Sequence, residues 1–273
     1  ENFFLWLPIT FNVFKTCPNA HKMSFKSKVV IVTGSSAGIG AALAIAFSRE
    51  GADVVITGRN RERLEKVAEE CKVNRSPLII QADLTNDNDV EEIVNKTIEK
   101  HGKIDILVNN AGIVQLSSLV DDTFLKAFDQ VVQINLRAVI KMTNSVTPHI
   151  IATKGNIINI SSVSGRQLYA YQYTVYGMLK ASLDYFTQGA ALELGKYGVR
   201  VNAVSPGPVE TDIKPDSSPG YERPTFPTAG NALASPLALR VSMGGGITLH
   251  QVSLLPVCPR SIKNKKKRLI PSF

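Results

Sequence analysis

Tyr176 and Lys180 stand four residues apart in the stretch SSVSGRQLYAYQYTVYGMLK, residues 161–180, and on a helix that interval stacks two side chains on one face. The pair suits proton transfer. A phenol with a pKa near ~10 is a poor acid or base at neutral pH, and an ammonium beside it favours the phenolate and brings it toward a working range. Tyr169, Tyr171, Tyr173 and Tyr185 have no lysine at that interval. Ser162 follows residues 155–161, which read as a strand, so its hydroxyl is expected at a strand end facing the phenol. An ordinary amphipathic helix carrying one Tyr and one Lys is the plain alternative, and the pair alone does not decide between them.

The elements that must position this pair are legible upstream. Residues 29–33, VVIVT, form a short β-branched apolar run of the kind that makes a buried parallel strand. GSSAGIG follows, then AALAIAFSREG, an apolar helix closing at Gly51. A strand feeding a glycine turn into a helix is a dinucleotide-binding arrangement. Glycines let the backbone approach a pyrophosphate, and the helix N-terminus offers N–H groups and a positive dipole end. The spacing is Gly34, three residues, then Gly38, Ile39 and Gly40.

A second strand, 53–57, ends in Gly58, Arg59 and Asn60. An acidic residue there selects NAD through the ribose diol, whereas a guanidinium suits a 2′-phosphate, so Arg59 favours NADP(H) over NAD(H). A surface arginine opening the helix of residues 61–70 is the alternative. A third strand, 78–81, ends at Ala82, Asp83 and Leu84. There Asp83 either accepts from an adenine amino group or precedes the cap of a helix over 85–100. A fourth strand, 104–108, runs into Asn109, Asn110, Ala111 and Gly112, a turn in which amides tie neighbouring strands and small residues leave room for a flat ligand. Strands alternating with helices predict an α/β fold, a doubly wound parallel sheet of Rossmann type in three αβα layers, with ligands at the carboxyl ends of the strands. Asn135 lies inside a long helical pattern, 122–151; its amide competes with the backbone, and a local distortion there would free a carbonyl to hold water. His149, beside Pro148, reads as an end-of-helix residue.

The net charge of +8 raises the question of a polyanionic partner. Six of those charges come from Arg260, Lys263, Lys265, Lys266, Lys267 and Arg268, which leaves +2 on the rest. The run reads as a solvated tail, and no nucleic-acid partner is expected. Cys17, Cys71 and Cys258 are odd in number and far apart, without metal or disulfide spacing, so no metal is expected and a reducing, cytoplasmic setting fits. Residues 3–14 form an apolar run too short to span a bilayer, and no membrane association is expected. With Glu1 at the first position and Met23 as an internal start, residues 1–25 read as an extension.

Together these residues resemble the short-chain dehydrogenase/reductase family. Thr33–Gly40 matches the family's TGxxxGIG, Asn109–Gly112 its NNAG, Ser162 its serine, Tyr176 with Lys180 its YxxxK, and Pro206 with Gly207 its turn after a sixth strand over 199–204. Within the family the sequence looks most like 3-oxoacyl reductases of the FabG type and their animal relatives. The resemblance implies hydride transfer between a nicotinamide and a carbonyl or secondary alcohol. Tyr176 would be the acid, and Ser162 would stabilise charge on the substrate oxygen. Lys180 would lower the phenol's pKa and bind the nicotinamide ribose, while Asn135 would position a water for proton resupply. Cofactor contacts would come from Gly34, Ser36, Gly38, Ile39, Gly40, Arg59, Asp83, Leu84, Asn110, Ala111, Gly112, Tyr176, Lys180, Pro206 and Gly207, with Val209 and Thr211 at the carboxamide.

The match covers residues 26–212, the expected catalytic domain, and stops there. Residues 213–273 hold eight of the fourteen prolines, residues 244–246 are all glycine, and the stretch reads as irregular, with Val252–Val257 faintly like a closing strand. A regular final strand is not expected, which weighs against the homo-oligomer that the resemblance implies. The leading expectation is an NADP(H)-dependent carbonyl or 3-oxoacyl reductase acting on a small molecule. The alternatives are an NAD-linked alcohol or hydroxysteroid dehydrogenase, or a truncated, noncatalytic dinucleotide-binding protein.

Overall fold

A computed structural model describes residues 24–72, 75–209, 239–243 and 247–252. Six strands, β1 (Val29–Thr33), β2 (Asp53–Gly58), β3 (Leu78–Gln81), β4 (Ile106–Asn109), β5 (Asn156–Ile160) and β6 (Arg200–Val204), form one parallel sheet in the order β3-β2-β1-β4-β5-β6. This is the doubly wound order, in which strands are added outward in one direction from β1 and in the other from β4, and the switch between them opens a crevice at the carboxyl ends. The register aligns Thr33 with Thr57 across β1 and β2, and Asn109 with Asn159 across β4 and β5. Strand ends therefore meet along one edge.

Alternation within β1 divides the core. Val29 and Ile31 pack with α3 (Asp87–His101), α5 (Ala138–Thr153) and α6 (Thr174–Gly195); Val30 and Val32 pack with α1 (Gly38–Arg49) and α2 (Arg61–Cys71). All five β1 residues are buried, and each large apolar side chain removed from water contributes about 1.5–3 kcal/mol. A strand covered on both faces needs an unbroken apolar run, which VVIVT supplies.

Element boundaries depart modestly from the sequence reading. The first helix begins inside the glycine turn at Gly38, and the fourth strand starts two residues later than expected and ends on Asn109. The long helical stretch is three segments: α4 (Phe124–Val132), a π-helical turn over Gln133–Arg137, and α5. Asn135 sits in the π turn, where the expected distortion occurs. Among the described residues no seventh strand joins the sheet. Within 213–273, expected to be irregular, β7 (Leu239–Met243) and β8 (Ile247–Val252) pair antiparallel as a separate two-stranded sheet. Each has a partly alternating apolar and polar sequence, a period-two pattern that overrides the surrounding composition. Of the strand suspected at 252–257, Val252 ends β8 and the remainder lies outside the described residues. So do residues 1–23 and Thr211. No helix among the described residues is long and apolar enough to cross a membrane.

Candidate active site

At the carboxyl end of β1, Thr33 organises the first half of the site. Its buried hydroxyl donates to the Val108 carbonyl and accepts from the backbone N–H groups of Asn110 and Ala111. The Asn110 amide returns the contact, donating to the carbonyls of Thr33 and Gly34. Gly34 has φ +63°, and a Cβ there would stand 2.7 Å from Ala111 Cα; one on Gly40 would strike the Gly34 carbonyl and the Asn110 amide. The two motifs are therefore interlocked backbone against backbone, and only glycine permits it. Asn109 ties β4 to its neighbours through Thr143 and Asn159, the strand-linking role expected of it.

The residues present fit a dinucleotide phosphate. The N-cap of α1, Ala37, supplies no side-chain hydrogen bond, and the first turn carries no acidic residue. By contrast α2 and α3 are capped by Asn60 and Asn86 and hold acidic residues in their first turns. The positive end of α1, at Gly38, Ile39 and Gly40, is thus the one of these three left open to an anion. Ser36 lies beside Gly58, whose missing Cβ would come 3.3 Å from the Ser36 hydroxyl. Arg59 is exposed at the end of β2, its carbonyl accepting from Gln81. Asp83 closes a turn on Thr85: bonds from the Thr85 N–H and hydroxyl hold its carboxyl below the usual range against partial burial, with help from the Arg59 charge. That geometry supports the pre-cap alternative for Asp83 and occupies one of its oxygens. Leu84 packs on the core below.

The second half of the site is built across β5 and α6. Ser162 follows β5, accepts from the Ser164 N–H, and hydrogen-bonds Tyr176. Lys180, one turn along α6, places Nζ 5.7 Å from the Tyr176 ring centroid and donates to the Ile160 carbonyl at 2.7 Å. Two glycines permit this approach. A Cβ on Gly165 would stand 2.9 Å from the Lys180 carbonyl carbon, and one on Gly177 would stand 2.6 Å from the Ser164 carbonyl oxygen. The 3₁₀ turn Val163–Gly165 is therefore pressed onto α6, and the Val163 N–H also reaches the Pro206 carbonyl at the end of β6. Pro206, Gly207 and Val209 follow β6, on the same edge of the sheet.

Asn135 is buried, and its amide makes a paired contact with one residue: Nδ2 donates to the Ile113 carbonyl and Oδ1 accepts from the Ile113 N–H, both at 2.8 Å. It faces Gly112, whose absent Cβ would come 3.3 Å from Asn135 Oδ1 and 3.8 Å from Lys180 Nζ. The side chain thus fixes the segment after Asn109–Gly112, and any water would be held by the opened backbone of the π turn.

One electrostatic expectation is corrected. Burial pushes the Tyr176 phenol up from its ordinary value, and the bond from Ser162 only partly opposes it. Burial also pulls Lys180 down to about 8, with Asp184 acting in the other direction. Desolvation outweighs the attraction of a lysine that is turned toward the Ile160 carbonyl. The sequence reading did not single out Gly165, Gly177, Ile160 or Asp184; the two glycines fall where no turn or cofactor pattern marks them.

The family model for short chain dehydrogenase matches residues 28–222. An uncharacterized oxidoreductase from Staphylococcus saprophyticus is 34% identical over 238 residues, spanning 86% of this chain and 100% of that protein. Among solved structures, a short-chain dehydrogenase/reductase of unknown function from Caenorhabditis elegans, with cofactor, superposes with a TM-score of 0.66 at 40% identity, covering 70% of this chain and 75% of that one. A glucose dehydrogenase from the same organism, in the apo form, gives 0.61 at 42% identity, covering 68% and 76%.

Proposed function

Because the chain belongs to the short chain dehydrogenase family, we propose that it is an NADP(H)-dependent reductase, converting a small ketone or 3-oxoacyl compound to the secondary alcohol. The observation that carries this reading is the Tyr176 phenol bonded to Ser162 beside the buried Lys180, on the sheet edge that also presents the open end of α1. A bound nicotinamide supplies the hydride. Tyr176, held protonated by its surroundings, gives its proton to the substrate oxygen as charge develops there. Ser162 accepts from the Ser164 N–H and directs its own proton to the phenol oxygen; turned to the substrate, that proton stabilises the charge developing there. Lys180 places a positive charge behind the phenol and favours the phenolate left after transfer. The paired Asn135–Ile113 hydrogen bonds fix the segment that follows Gly112 beside Lys180.

Arg59 at the end of β2 supports the choice of NADP(H). The unpaired spacing of the cysteines supports a cytoplasmic setting. Alcohol oxidation with NAD is the second reading, favoured by the likeness to a glucose dehydrogenase. Initial rates with NADPH and NADH across simple ketones, 3-oxoacyl thioesters and, in reverse, sugars and secondary alcohols test both. Faster ketone reduction with NADPH supports the first reading; faster alcohol oxidation with NAD supports the second.

A further inference from the structure

Asp184 lies one turn beyond Lys180 as Lys180 lies one turn beyond Tyr176, so three titratable side chains share a face of α6 at four-residue intervals. Asp184 is 8% exposed as a residue, and its Oδ1 has no hydrogen-bond partner. A buried carboxylate oxygen left bare is costly to folding, so the scaffold alone gives no reason for it. Its Oδ2 stands 3.7 Å from Arg166 Nε. Arg166 ends the turn that carries Ser162, and Gly165 lets that turn lie on the helix at Lys180.

The other groups around Lys180 leave its charge uncompensated. Its Nζ, 4% exposed as a residue, has the Ile160 carbonyl from β5 as acceptor. From its own helix it faces the Tyr176 ring; from the π turn, the Asn135 amide, across the backbone of Gly112. From the turn after β5, Ser162 bonds Tyr176, and Arg166 pairs with Asp184. None of these is an anion. Asp184 is the one whose field acts on the lysine against the effect of burial.

We propose that Asp184 is a positioning residue for proton transfer: held from the turn by Arg166, its carboxylate keeps the Lys180 ammonium charged in the interior, so that Tyr176 meets a cation. The use of that charge rests on the function proposed above, but the charge itself is measurable without turnover. The test is a side-chain NMR titration of isotope-labelled lysine in the full chain without cofactor, the Lys180 signal being the one absent from Lys180→Met. Asp184→Asn lowers the Lys180 midpoint by at least about half a pH unit, and Asp184→Glu restores most of it. An unchanged midpoint in Asp184→Asn overturns the proposal. So does an Asp184→Asn chain that does not fold, which would assign the carboxylate to the scaffold. A midpoint that moves in a chain that reduces no ketone upholds the link to Lys180 while removing the function.

Discussion

Gly177 on α6 and Ser164 in the turn after β5 meet backbone to backbone, with room for no side chain: a Cβ on the glycine would stand 2.6 Å from the Ser164 carbonyl oxygen. This contact sets the separation of the two hydroxyl-bearing residues of the site, since Ser162 caps the turn and Tyr176 immediately precedes Gly177. A glycine inside a helix costs about 1 kcal/mol relative to alanine. Here that cost permits the approach on which the chemistry depends.

Gly177→Ala forces the turn away from the helix. Overpacking typically costs about 1–3 kcal/mol, which the better helix propensity of alanine partly offsets. The chain is therefore expected to fold with a small change in Tm, yet lose roughly ten- to hundredfold in kcat, because misplacement near 1 Å is enough for such losses. Parallel measurements of Tm and kcat check this. A variant with parental kcat would show that the interlock does not position Ser162.

How much of this was legible follows from where each signal resides. VVIVT announced a strand buried on both faces, and the order of glycine turn, NNAG and YxxxK placed Gly34, Asn110, Ser162, Tyr176 and Lys180 on one sheet edge. Asn135 betrayed the π turn because an amide is a poor helix-interior group. Gly165 and Gly177 were silent, since their requirement is a contact between two elements separated along the chain, not a backbone angle. The direction of the Tyr176 shift was missed for a related reason: spacing reveals a neighbouring charge, but burial depends on every element packed around it, and here burial wins.

The pH dependence of stability tests the buried ammonium. Lys180 is held at about 8 in the folded chain, below its ordinary 10.5. Between those values the unfolded chain keeps a proton that the folded chain has released, so stability rises with pH across that window; below about 8 the full penalty applies, roughly 3 kcal/mol. Urea unfolding of the parent and Lys180→Met is therefore expected to show the parent gaining about 2 kcal/mol relative to the variant between neutral pH and about pH 9.5. A difference that stays flat with pH would contradict the buried charge.

Arg59→Ala tests the cofactor choice. Removing a charge-assisted bond to a 2′-phosphate raises the KM for NADPH by about tenfold or more, while NADH, lacking that phosphate, changes by less than about twofold. Equal effects on both would make Arg59 an ordinary exposed residue. Thermal shifts with each dinucleotide give the same comparison without turnover.

The most direct test of the central claim is the rate of NADPH-dependent ketone reduction by Tyr176→Phe, measured beside the parent with cofactor binding followed by thermal shift. Removing the phenol oxygen leaves the Gly34 turn and the open end of α1 untouched, so binding of NADPH is expected to persist. The rate should fall by about a hundredfold or more, the usual worth of a positioned acid. Parental rates in Tyr176→Phe, with NADPH bound, would mean that Tyr176 does not supply the proton.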